Sequence, residues 1–171
     1  MRFEGGIVLL ALASAFGASP EQLHFSAEDE QVERPIGIPE GVAAILRNDG
    51  RVRHFLEGEP SSATGQLPPS WFSASAVRLD GDGEKDVVVM ATGALRGANI
   101  TTFWVFRATN RGYELAFEAH EHDLIVTNKR WKGYRVIETD SMTAVLVRTA
   151  WYRLEGGQYK MFKDTGWKDI N

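Results

Sequence analysis

The sequence predicts a mainly β fold of the α+β class, an antiparallel sheet or sandwich carrying one N-terminal helix. Three observations lead there. From Phe72 onward apolar residues recur in short runs of period two, glycine-bearing turns separate the runs, and one stretch before them has helical spacing. The chain has 171 residues, a formal charge of -4, 43% apolar and 11% aromatic content, as a packed globular chain does. Without an export signal about 150 residues remain, one ordinary domain large enough to bury a real core.

The first element is an address. Ile7 to Ala13 form an unbroken apolar run, followed by small residues with Ala13 and Ala15 at signal-peptidase spacing. Cleavage after Ala15 is expected, making residues 1–15 a signal peptide and the product periplasmic or secreted. Arg2 is the only basic residue before the run, and Glu4 offsets it. A buried N-terminal helix or strand is the alternative, although Pro20 argues against a helix continuing into the domain. The run is shorter than the roughly 20 residues a membrane span requires, so the mature chain is expected not to insert.

Residues 16–38 read as a flexible lead-in, polar and acidic with Glu28, Asp29, Glu30 and Glu33 close together. The domain is expected over 39–171. Its helix runs from Pro39 to Asn48: Pro39 suits the first turn, Val42, Ile45 and Leu46 share a face, and Gly50 supplies a stop. Gly58 to Ser70, with Pro60, Pro68 and Pro69, is a loop.

Strands follow at Phe72–Leu79, Asp86–Ala91, Thr101–Ala108, Tyr113–Glu118, Leu124–Thr127, Tyr134–Glu138, Ala144–Leu154 and Gln158–Phe162. Asn110-Arg111-Gly112, Lys132-Gly133 and Glu155-Gly156-Gly157 mark turns, the last a hairpin signal. Trp104, Phe106, Tyr113, Phe117, Tyr134, Trp151 and Tyr159 are expected in the core, as packing rather than as a carbohydrate platform.

The sharpest motif is Leu79-Asp80-Gly81-Asp82-Gly83-Glu84-Lys85-Asp86, leading into Val87-Val88-Val89. Short carboxylates at this spacing, with glycine permitting a tight turn, can surround a hard cation. The segment resembles the loop of FG-GAP/VCBS-type repeats, Asp-x-Asn-Gly-Asp-Gly-x-x-Asp, which binds calcium and enters an apolar strand. The resemblance places Asp80, Asp82 and Asp86 at the third, fifth and ninth positions and Gly83 at the sixth, and implies calcium as the bound ion. It departs at the first position, where Arg78 stands for an aspartate; a guanidinium there repels a cation and can pair with Asp80 or Asp82 instead. Only about a dozen residues match, and a multi-bladed propeller does not fit the length. A structural Asx-rich turn is the other reading.

A looser resemblance spans Trp71 to Lys160, through Trp71-Phe72, Gly97-Ala-Asn-Ile-Thr101, Phe103-Trp-Val-Phe-Arg107, Gly112-Tyr-Glu-Leu115 and Tyr152-Arg-Leu-Glu-Gly-Gly-Gln-Tyr159. It is similar to small exported bacterial proteins without an assigned activity. That implies an exported β-rich domain and brings no catalytic residues.

Glu118, His120 and His122 alternate, so a regular strand presents all three on one face. Two imidazoles and a carboxylate suit zinc or iron. Against that, successive members stand about 6–7 Å apart on a flat strand, too far for one ion without a bulge. A solvated strand end is the plainer reading. Asn99-Ile100-Thr101 is a glycosylation sequon with meaning only in a eukaryotic secretory pathway.

Other chemistry is narrowed by what the chain lacks. It contains no cysteine, which removes disulfides, thiolate metal sites and a cysteine nucleophile. Its acidic balance supplies no electrostatic footprint for nucleic acid. No Gly-x-Ser-x-Gly elbow, His-Glu-x-x-His helix or phosphate-cradling loop occurs. The expectation is a non-enzymatic exported module that recognises or inhibits an envelope or extracellular protein. A calcium-stabilised domain and an envelope-polymer hydrolase are the alternatives.

Overall fold

The computed structural model describes residues 22–57, 59, 66–81 and 86–170. The expected signal peptide and Asp82 fall outside these residues. The fold is mainly β, with two antiparallel sheets and two helices among the described residues. In chain order the elements are β1 (Leu23–Ser26), α1 (Glu40–Asn48), α2 (Gly50–Leu56), β2 (Phe72–Val77), β3 (Asp86–Ala91), β4 (Thr101–Thr109) and β5 (Gly112–Glu121). They continue with β6 (Asp123–Trp131), β7 (Tyr134–Met142), β8 (Leu146–Glu155), β9 (Gln158–Asp164) and β10 (Lys168–Asp169).

A four-stranded sheet, β2-β3-β4-β5, forms the middle of the molecule. Its central strands are apolar on both faces because both faces are covered. Val88, Met90, Phe103 and Val105 point into a core shared with Leu124, Val126, Ile137 and Tyr159 of the second sheet. Val87, Val89, Trp104 and Phe106 point the other way, against Val42 and Leu46 of α1 and Val52 of α2. The layers therefore run helices, four-stranded sheet, six-stranded sheet. The last has the order β1-β6-β7-β8-β10, with β9 also pairing with β8. Among the described residues no helix or strand packs on its outer face.

The single expected helix is two. After α1 the chain turns extended at Asp49 (φ -62, ψ 133), and the Asp49 carboxylate accepts the N–H groups of Arg51 and Val52 at 2.9 and 3.0 Å. That side chain is an N-cap, which restarts a helix at Gly50 instead of letting glycine end one.

Part of the expected lead-in also belongs to the fold. Leu23–Ser26 pairs antiparallel with the start of β6, Phe25 and Val32 are buried, and Ile36 bridges to Ala74. The acidic residues mask this in the sequence, since Phe25 to Ala27 are buried just ahead of them and Val32 is buried alone among them.

Two hairpins are tight because their turn residues accept positive φ. Lys132 (φ 48) and Gly133 (φ 88) join β6 to β7, and Gly156 (φ 61) and Gly157 (φ 88) join β8 to β9. Bulges interrupt the β6/β7 and β8/β9 ladders. In the second, Trp151 pairs with Lys163 and Tyr152 with Met161, so Phe162 has no opposite residue and is pushed outward.

Trp104, Phe106, Phe117 and Tyr159 are buried as expected, and Tyr113 and Tyr134 pack against the cores half-buried. Trp151 is not in either core. It shares strand parity with Arg153 and faces outward.

Candidate functional site

The two sequence-derived sites can now be placed at their described residues. Asp86 opens β3 and is only 3% exposed. Its Oδ2 accepts the N–H of Leu79 at 2.8 Å and its Oδ1 that of Ala108 at 2.9 Å. Burial pushes this carboxyl above its usual range, and the two backbone donors work against that rise. Asp86 thus clasps the acidic loop to β4 through both oxygens. Asp80 lies in the turn ahead of it.

Glu118 and His120 lie on the helix-facing side of β5, opposite Trp104 and Thr102. His120 Nε2 stands 3.9 Å from Glu118 Oε1, and His120 Nδ1 contacts Thr102 Oγ1 at 2.8 Å and Arg51 Nη1 at 3.4 Å. Asp49 completes the group by accepting the Trp104 indole N–H at 3.2 Å. Partial burial lifts the Glu118 carboxyl and lowers the His120 imidazole, with Asp49 adding to the first and Arg51 to the second. Both groups move toward neutrality, as an acid–base pair would. The hydroxyl beside the imidazole cannot serve as a nucleophile, however, because Thr102 is 0% exposed.

His122 does not join them. β5 ends at Glu121, and the turn carries His122 to the other sheet, where its N–H donates to Asp140 O and its carbonyl accepts from Ala27 N. Its ring meets Asp123 Oδ2 at 3.0 Å and Glu28 Oε1 at 3.6 Å, and His24 Nε2 reaches Asp123 Oδ1 at 3.2 Å. The alternation Glu118/His120/His122 is therefore split between two places by the strand end. Among the described residues no three carboxylates or imidazoles are placed to hold one metal ion.

Among the described residues, an assembly of partly exposed aromatic and cationic side chains lies on the outer face of the six-stranded sheet. The Arg153 guanidinium lies 4.5 Å over the Trp131 ring and 5.3 Å over the Phe162 ring. Lys163 Nζ lies 4.6 Å over Trp151, whose indole N–H donates to Glu138 at 2.5 Å. Trp131 and Phe162 remain 39% and 46% exposed. Arg153 also donates to Glu155 at 2.7 Å, which fixes the plane of the guanidinium. The β8/β9 bulge contributes to this arrangement by turning Phe162 to the side on which Lys163 pairs with Trp151. Strand parity was the available signal, since Trp151, Arg153 and Glu155 alternate with Tyr152 and Leu154.

Comparison of the chain with protein-family models, curated proteins and solved structures gives no match in any of the three. No helix among the described residues is long and apolar enough to cross a membrane.

Proposed function

We propose that the protein is an exported, non-enzymatic binding module that recognises an acidic surface of an envelope or extracellular protein through the open face of its six-stranded sheet. The observation that carries this reading is the Trp131–Arg153–Phe162 stack with Trp151 and Lys163 beside it. Tryptophan and arginine at the centre of a patch are the residues that dominate the energetics of protein interfaces. Holding a guanidinium against rings lowers the conformational entropy lost when it meets a carboxylate.

Charge selects the partner. The chain as a whole is acidic, at -4, yet Lys132, Arg153, Lys160 and Lys163 gather around this face. Its carboxylates Glu138 and Glu155 are already engaged by Trp151 and Arg153. A sugar would stack on a bare ring face, whereas the Trp131 and Phe162 faces here carry a guanidinium. Export rests on the apolar run Ile7 to Ala13 with small residues after it, and on a cysteine-free chain that relies on its core alone.

The test is a fluorescence titration of Trp131 and Trp151 with a decapeptide of alternating Glu and Phe. Binding is expected in the micromolar to millimolar range, with loss of about tenfold or more in Arg153→Glu and in high salt. Equal binding of an alternating Lys/Phe peptide, or of a neutral chito-oligosaccharide, would contradict the reading.

A further inference from the structure

β2 is an edge strand of the four-stranded sheet, and one of its residues has backbone groups to spare. Trp71 O accepts the N–H of Thr92, so the register makes Ser73 and Met90 the next hydrogen-bonded pair. Phe72, opposite Ala91, therefore turns its N–H and C=O away from β3, as Ala74 does two residues on. Ala74 O is met from outside by the N–H of Ile36 at 2.8 Å. No described residue meets the backbone of Phe72 in that way, although Phe72 is only 7% exposed.

On this outer side Phe72, Ser73 and Ala74 line a cleft of about 430 Å³ together with Pro35, Ile36 and Arg96. Arg96 is half-buried; its Nη1 donates to Asp29 O at 3.0 Å, and its Nε and Nη2 meet no described residue. Glu30, the carboxylate of the same lining, is exposed. Solvent screens an exposed charge more than a half-buried one, so the cleft favours an anion. A second, mostly apolar hollow of about 370 Å³ shares Ile36, Pro69 and Phe72 with the first and adds Ile38, Ala43 and Leu67. The Phe72 ring packs on the helix side of the sheet. A residue paired with Phe72 across an antiparallel edge points its side chain to that same side, where Ala43 of α1 stands.

A donor and an acceptor offered by one edge residue are satisfied together by one residue of an extended peptide. We propose that this edge captures an extended peptide segment of a partner protein. One residue of the segment pairs with Phe72 and lays an apolar side chain in the hollow beside Ala43, and a neighbouring carboxylate binds Nε and Nη2 of Arg96. Those two nitrogens form a fork that matches a carboxylate. The site lies on the other sheet from Trp131 and Arg153, so either can fail without the other.

The probe is acetyl-Glu-Leu-Glu-amide, followed through the Phe72 backbone amide by NMR in the wild type and in Arg153→Glu, which silences the aromatic face. In both proteins it is expected to shift that amide with a dissociation constant of about a millimolar. N-methylation of the leucine nitrogen removes the donor to Phe72 O and is expected to weaken binding about tenfold. Acetyl-Gln-Leu-Gln-amide is expected to bind about tenfold more weakly than the Glu peptide, and Arg96→Gln to erase that difference. An unmoved Phe72 amide, an unchanged affinity of the N-methyl peptide, or a preference for Glu over Gln that survives Arg96→Gln would overturn the proposal.

Discussion

Asp86 Oδ1 accepts the backbone N–H of Ala108 at 2.9 Å, tying the first residue of β3 to the far end of β4. The other oxygen holds Leu79, so one carboxylate closes the loop that most resembles an ion site. Asp86→Ala leaves two backbone donors without their partner, and unpaired donors out of water cost about 1–3 kcal/mol each. A loss of about 3 kcal/mol is expected in urea unfolding. Asp86→Asn, which keeps one acceptor, is expected to lose roughly half as much.

Calcium follows from the same geometry. With both Asp86 oxygens bonded to the backbone and Arg78 at the position where the repeat loop has an aspartate, the loop is expected to hold its shape without an ion. Thermal melts after chelation, then with calcium or magnesium in millimolar excess, are expected to coincide. A calcium-specific rise, of the order of 2.7 kcal/mol at a hundredfold excess over the dissociation constant, would contradict this.

Asp49 caps α2 and accepts the Trp104 indole N–H, joining helix to sheet through one side chain. Asp49→Ala removes the cap and leaves a core indole unpaired. It is expected to cost about 2 kcal/mol. Asp49→Asn, which retains a carbonyl oxygen, is expected to recover much of that in the same chemical melts.

Two carboxyls, the buried Asp86 and the partly buried Asp123, titrate in opposite senses. The folded Asp123 carboxyl lies below its unfolded value, so its contribution is present above about pH 4 and is lost as pH falls through the folded pKa. The folded Asp86 carboxyl lies above its unfolded value, so its contribution is fullest below about pH 4 and is lost as pH rises through the folded pKa. Unfolding midpoints of the wild type should therefore fall relative to Asp123→Asn on acidification from about pH 6 to 3. Relative to Asp86→Asn they should rise. Parallel curves for either pair would show that the carboxyl in question is not perturbed by the fold.

Much of the fold was legible in the residues. Period-two runs and glycine turns locate the strands, and Lys132-Gly133 and Gly156-Gly157 sit where positive φ is needed. The helix layer was less so. Val87–Met90 and Phe103–Phe106 are apolar without alternation, the mark of strands covered on both sides, and that signal points to three layers rather than an ordinary sandwich. Asp49 reads as a helix end until its side chain is seen to start another. The aromatic face escaped because bulges move residues off the parity that a sequence displays, and because Trp151 by itself reads as core. The cleft at Phe72 was out of reach: Pro35, Phe72 and Arg96 come together only through the pairing of β2 with β3 and of Ile36 with Ala74.

The most direct test of the recognition face compares what the wild type and an Arg153→Glu/Lys163→Glu double variant retain from an envelope extract at low salt. Both side chains are on the surface, and equal melting points would establish that the fold is unchanged. The expected result is a small set of acidic proteins held by the wild type, released by about 0.5 M salt and missing from the variant. The same proteins on both, or none on either, would contradict recognition through this face.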